Sequence, residues 1–131
     1  MTQRLLLIGD DPVLHELLQG RLWETFDVMG ETDGHAAALA AARLARVDVL
    51  LVDADLKDAD PADLVAGLTL ICAAPLVALS AAAAPGTPAA TALYRAGAHT
   101  VLHKPAGRLP LDLTGDFGDA IVATLQAAAG A

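Results

Sequence analysis

Val47-Asp48-Val49-Leu50-Leu51-Val52-Asp53 is an apolar run of strand length that closes on a single acid. From Val49 to Val52 there is no alternation of polar and apolar residues, so both faces of such a strand must be buried, as in a parallel sheet covered by helices on each side. Four further runs of strand length flank it along the chain, at residues 4–9, 26–31, 74–79 and 99–103. The stretches between them have helical signals. Asp11-Pro12 places a capping residue before a proline at the first helical position, and Leu14, Leu17, Leu18 and Leu22 recur on one face behind it. Asp33-Gly34 closes the second strand and opens an alanine-rich helix to about Arg46. Pro61 begins a short third helix ending near Gly67, residues 86–96 form a fourth stopped by Gly97, and residues 116–128 form a fifth.

Five βα units predict an α/β fold of the flavodoxin-like (βα)5 type, a doubly wound sandwich around a parallel five-stranded sheet in the order 2-1-3-4-5. The chain has 131 residues, enough for one domain over residues 1–131, and residues 106–131 are expected to supply the last helix and the start of any linker that follows it. A formal charge of −8 repels phosphate backbones and anionic lipid, so no direct nucleic-acid binding is expected. Cys72 is alone, which excludes an internal disulfide and suits a reducing compartment. The apolar run at residues 5–8 is too short for a secretory signal and is closed by Asp10 and Asp11, so a cytoplasmic location is expected. Residues 64–94 carry no charge, but Pro75, Pro85, Gly86 and Pro88 divide them, which argues against a membrane span.

In open α/β sheets the ligand sits beyond the carboxyl ends of the strands. Read in order, those ends carry Gly9-Asp10-Asp11, Asp53, Ser80 and Lys104-Pro105. Clustered carboxylates repel one another, and a hard divalent cation relieves them. Mg²⁺ is the natural candidate because it binds through one or two carboxylates and keeps water positions for phosphoryl oxygens. With Lys104 beside it, Asp53 can attack phosphorus in line and become an aspartyl phosphate, and Ser80 can then donate a hydrogen bond to the new group and draw its loop inward. Taken singly, Asp53 could cap a turn and Lys104 could be solvated; their joint placement at strand ends is what points to chemistry. The four histidines, His15, His35, His99 and His103, lack ligand-like spacing, so zinc is not expected.

The residues that carry this reading resemble the receiver domains of two-component response regulators along nearly the whole chain. The matching segments are Leu5-Leu6-Leu7-Ile8-Gly9-Asp10-Asp11-Pro12, Val47 through Asp53, Pro75-Leu76-Val77-Ala78-Leu79-Ser80-Ala81, and Ala96-Gly97-Ala98 leading to Lys104-Pro105. The resemblance implies that Asp53 is the phosphoacceptor, that Asp10 and Asp53 ligate Mg²⁺ together with the backbone carbonyl of Asp55, and that Ser80 is the hydroxyl switch. It also implies that Lys104 contacts the phosphoryl group and precedes a cis peptide at Pro105, and that a sensor histidine kinase is the phosphodonor. The segment Lys104-Pro105-Ala106-Gly107-Arg108-Leu109-Pro110-Leu111-Asp112-Leu113 is similar to the end of the receiver in chemotaxis protein-glutamate methylesterases (CheB-like). In that case a methylesterase domain would be the output.

Three departures qualify the match. With Pro12 aligned to the family's common proline, the usual acidic pair falls on Gly9 and Asp10, so one acid is missing and weaker Mg²⁺ binding is expected; a register shifted by one would make Asp11 the second metal acid. The family's aromatic switch position holds Val101, so output must leave by another route. Lys57 replaces a common proline, and the loop bearing Asp55, Asp58, Asp60 and Asp63 reads as solvated. Trp23 and Tyr94 read as packing residues. The fourth helix has a mostly alanine outer surface, which either meets a second copy or an output domain, through the face it forms with the fifth strand and fifth helix, or is a small alanine surface that costs little when exposed. The alternative function is a pseudo-receiver, a dimerisation or interaction module that works without phosphorylation. A phosphatase or flavin binder on this fold is disfavoured because no glycine-rich phosphate loop follows the first strand. Beyond self-phosphorylation and dephosphorylation, no turnover activity is expected of the receiver alone.

Overall fold

The computed structural model describes residues 2–31, 35–44, 46–104 and 115–130. Five strands, β1 (Gln3–Ile8), β2 (Phe26–Glu31), β3 (Val49–Asp53), β4 (Leu76–Ser80) and β5 (Thr100–His103), alternate with five helices, α1 (Pro12–Leu22), α2 (His35–Leu44), α3 (Pro61–Ile71), α4 (Pro88–Ala96) and α5 (Asp116–Ala129). All neighbouring strands pair in parallel, in the order β2-β1-β3-β4-β5. The flavodoxin-like arrangement expected from the five units is the one observed.

The central strands have a hydrophobic layer on each face. Leu6, Ile8, Leu50, Val52, Leu76 and Ala78 face the side covered by α2, α3 and α4, where Ala38, Ala42, Leu64, Leu68, Ala90 and Leu93 close the core. Leu5, Leu7, Val49, Leu51, Val77 and Leu79 face the opposite side, against Leu14, Leu18 and Leu22 of α1 and Ile121, Leu125 and Ala128 of α5. Every residue of β3 and β4 is buried, so these two strands hold their carboxyl ends in fixed positions.

Local chemistry sets the helix ends. Asp11 caps α1, its Oδ1 accepting from the N–H groups of Val13 and Leu14 at 3.0 and 3.3 Å, with Pro12 following as expected. Asp60 caps α3 by accepting from Asp63 N–H at 3.1 Å, and Thr87 caps α4 by accepting from Ala90 N–H at 3.2 Å. Helix α4 therefore begins two residues later than the sequence suggests. Gly97 ends it at φ +118°, a left-handed conformation, and a side chain there would also meet Thr69 Oγ1 at 2.8 Å. The third helix runs past Gly67 to Ile71, because Leu68 extends the buried face begun by Leu64 and Val65. Trp23 and Tyr94 do not pack as expected: Trp23 is 65% and Tyr94 49% exposed. The Tyr94 hydroxyl accepts from Val101 N–H at 3.2 Å and so satisfies a donor of edge strand β5. Cys72 is half-buried against the α2–α4 core. Among the described residues no helix is long and apolar enough to cross a membrane.

Candidate functional site

The pairing order brings the ends of β1, β3, β4 and β5 to one rim of the sheet. There a cleft of about 360 Å³ is lined by Asp10, Asp11, Pro12, Asp53, Asp55, Lys57 and Lys104. Asp53 is the last residue of β3 and only 3% exposed. Its Oδ1 accepts from Lys104 Nζ at 3.0 Å and from Asp55 N–H at 3.1 Å. Ser80, the last residue of β4, is 1% exposed. Lys104 follows β5 and is anchored by its own N–H, which donates to Ser80 O at 3.0 Å. The acid, the hydroxyl and the lysine picked out in the sequence therefore converge.

The β1 end shows why the first acidic position is unusual. A Cβ built on Gly9 would lie 3.2 Å from Asp53 Cβ and 3.9 Å from Asp53 Oδ2, so position 9 faces the acceptor directly. Asp10 lines the same cleft, its Oδ2 accepting from Lys57 N–H at 2.9 Å. Asp11 lines the cleft too, but its Oδ1 is engaged by the start of α1. Among the described residues no group of three or more histidine, cysteine, aspartate or glutamate side chains is arranged to hold a metal ion. Two carboxylates sharing a cleft, Asp10 and Asp53, still suit Mg²⁺, which takes one or two and fills the rest of its shell with water.

Asp55 is placed differently from expectation. The acidic loop reads as solvated, and only the main chain of Asp55 carried a predicted role. Its side chain instead turns into the site. Oδ1 accepts from Ser80 Oγ at 2.9 Å, and Oδ2 accepts from Ala81 N–H at 2.9 Å and from Lys104 Nζ at 3.0 Å. Nothing in the local sequence separates Asp55 from Asp58; the only available signal was its two-residue spacing from Asp53, opposite the end of β4. The β4–α4 loop is tied down further by His103, whose Nε2 lies 3.0 Å from Ala81 O.

The electrostatics follow from burial and this network. Burial pushes the Asp53 carboxyl above its ordinary 3.8, against the opposing pull of Lys104. Asp55 is also penalised by burial, yet the Ala81 N–H, Lys104 and Ser80 together outweigh it and hold its carboxyl below 3.8. Burial acts against the charge on Lys104, but Asp53 and Asp55 raise it above its ordinary 10.5. The cis peptide expected at Pro105 and the similarity over residues 105–113 lie outside the described residues.

No protein-family model matches the sequence, and neither does any curated protein. Solved structures do match its fold. The response regulator domain of Thermotoga maritima CheB superposes with a TM-score of 0.86 at 16% identity, over 100% of this chain and 98% of that one. The receiver domain of a sensor histidine kinase from Pseudomonas aeruginosa PAO1, with a magnesium ion coordinated in its active-site cleft, gives 0.74 at 22% identity, over 100% of both chains. A response regulator from Burkholderia pseudomallei, with a phosphorylated aspartic acid, a calcium ion and citrate, gives 0.74 at 24% identity, over 98% of this chain and 69% of that one. The chain has the fold of response-regulator receiver domains.

Proposed function

We propose that this chain is a phosphoacceptor receiver domain of a two-component response regulator, with Asp53 as the acceptor. The observation that carries the reading is the pair Asp53 Oδ1 and Lys104 Nζ, 3.0 Å apart at the floor of a cleft that also holds Asp10. Oδ1, on the lysine side, is the nucleophile. It forms a bond to phosphorus as the bond from phosphorus to the donor breaks, and the donor leaves with the electron pair. For a phosphohistidine donor, as a sensor histidine kinase would supply, the leaving group is the imidazole, which takes a proton. Lys104 neutralises the equatorial oxygens. Ser80 Oγ and Ala81 N–H stand on the same side as further donors.

Asp10, Asp53 Oδ2 and the Asp55 backbone carbonyl are the groups assigned to Mg²⁺, with Asp11 reserved for its helix cap. When bound, the cation would neutralise charge on the phosphoryl oxygens and screen the carboxylates from one another. Gly9 leaves this set one acid short. The convergence of Asp53, Lys104 and Ser80 supports this reading over an interaction module that works without phosphorylation. The likeness to the CheB domain supports a chemotaxis setting, with a methylesterase output or a second receiver copy engaged through α4, β5 and α5, and a cytoplasmic location follows from that role. The test is incubation with acetyl phosphate and millimolar Mg²⁺. Intact mass should rise by one phosphoryl group in the wild type and not in Asp53→Asn. Absence of the adduct, with beryllofluoride also failing to bind the folded protein, overturns the reading.

A further inference from the structure

Lys104 Nζ, Ser80 Oγ and Ala81 N–H form a three-donor anion pocket beside Asp53, and all three donate to one carboxylate, that of Asp55, at 3.0, 2.9 and 2.9 Å. A carboxylate is planar and singly charged where a phosphoryl group is tetrahedral, but both present oxygens that accept charge-assisted hydrogen bonds at these distances. Two of the donors, the lysine and the serine hydroxyl, are the ones the proposed chemistry needs for the phosphoryl group. The third belongs to the loop that follows Ser80.

We propose that the Asp55 carboxylate is a built-in occupant of the phosphoryl pocket: it holds Ser80 and the β4–α4 loop in their anion-bound arrangement before phosphorylation and must leave before a phosphoryl group can enter. This deepens the phosphoacceptor reading and rests on it. The pocket cannot serve both anions. Asp53 Oδ1 and Asp55 Oδ2 each lie 3.0 Å from the same Lys104 nitrogen, so a group bonded to Oδ1 and reaching Ser80 Oγ would fall on the volume Asp55 fills. The loop is already anchored at its other side by the 3.0 Å contact between His103 Nε2 and Ala81 O. Phosphorylation would therefore exchange one anion for another, with little movement of Ser80. Such a switch needs no aromatic relay, and β5 carries Val101 where one would turn.

The experiment compares the full chain with Asp55→Ala and Asp55→Asn. Amide hydrogen exchange without phosphodonor should show Ala81 N–H protected in the wild type and at least tenfold faster in Asp55→Ala. Beryllofluoride with Mg²⁺, followed by ¹⁹F and amide NMR, should bind Asp55→Ala at least tenfold more tightly and restore the Ala81 protection. Asp55→Asn keeps the side-chain volume and one acceptor oxygen but no charge for Lys104, so it should fall between the two, and it carries the test if Asp55→Ala does not fold. Unchanged Ala81 exchange in the folded variants overturns the proposal, as does equal beryllofluoride affinity in variant and wild type. Failure of every protein to bind beryllofluoride removes the phosphoacceptor reading and the competition with it.

Discussion

Lys104→Met removes the cation that Asp53 and Asp55 share while keeping most of the aliphatic stem. The ammonium is 3.0 Å from each carboxylate, and the side chains are 15% (Lys104), 4% (Asp53) and 27% (Asp55) exposed. Breaking a fully buried pair costs about 3–5 kcal/mol, and an exposed pair contributes about 0–1 kcal/mol. This site lies between those limits, so a loss of about 2–3 kcal/mol is expected. An unfolding entropy of about 2.1 cal/mol/K per residue converts this to a fall of about 7–11 °C in the melting midpoint. The assay is thermal unfolding followed by circular dichroism in EDTA at neutral pH, repeated in an Asp53→Asn background. There Asp55 is the only one of the two carboxylates left to the lysine, and its removal should cost about 1 kcal/mol, leaving a coupling of about 1 kcal/mol or more.

The pH dependence of the difference between wild type and Lys104→Met has a definite sign. Lys104 is raised above 10.5, so its stabilisation is complete below that value and is lost as pH rises through the higher folded value. Asp55 is held below 3.8, so its contribution is present above 3.8 and lost as pH falls through the lower folded value. Asp53 is raised, so its charge costs stability as pH rises past 3.8, and without the lysine it takes up a proton earlier on acidification. The gap should be flat where both carboxylates are ionised and Lys104 is charged, begin to close above 3.8 as Asp53 of the variant takes up its proton, and close again at strongly alkaline pH. An unchanged midpoint, zero coupling with Asp53, or a gap constant down to pH 3 would refute the ion network as described.

Asp53→Asn should raise the midpoint in EDTA by a few degrees, or about 1 kcal/mol, because it removes a charge that burial opposes; a fall in midpoint would contradict that sign. Gly9→Asp should tighten Mg²⁺ binding about tenfold, read from the Mg²⁺-dependent rise in midpoint, and lower stability in EDTA by about 1 kcal/mol through added like charge beside Asp53. No change in Mg²⁺ response would show that position 9 does not face the cation. Asp11→Ala should cost about 1 kcal/mol through the lost helix cap and leave Mg²⁺ affinity within about twofold. A large loss of Mg²⁺ affinity there would assign Asp11 to the metal and invert the register at the end of β1.

The sequence by itself determined the elements and most of the rim. Uninterrupted apolar runs specify strands buried on both faces, and Asp11-Pro12, Pro61 and Gly97 set helix ends through capping and backbone restriction, which are local effects. Asp53, Ser80 and Lys104 were legible because each sits at or just past a strand end. The length of α3 and the exposure of Trp23 and Tyr94 were not, since they depend on which surfaces neighbouring elements cover. The role of Asp55 was the least legible. Asp55 and Asp58 are the same residue type in one loop, and only the side-by-side placement of β3, β4 and β5 gives one of them Lys104, Ser80 and the Ala81 N–H as partners. Those donors come from residues 25 to 49 positions away in the chain, so although the strand order was legible, the turning of one loop carboxylate onto all three is set by tertiary packing, which no pattern within the loop encodes.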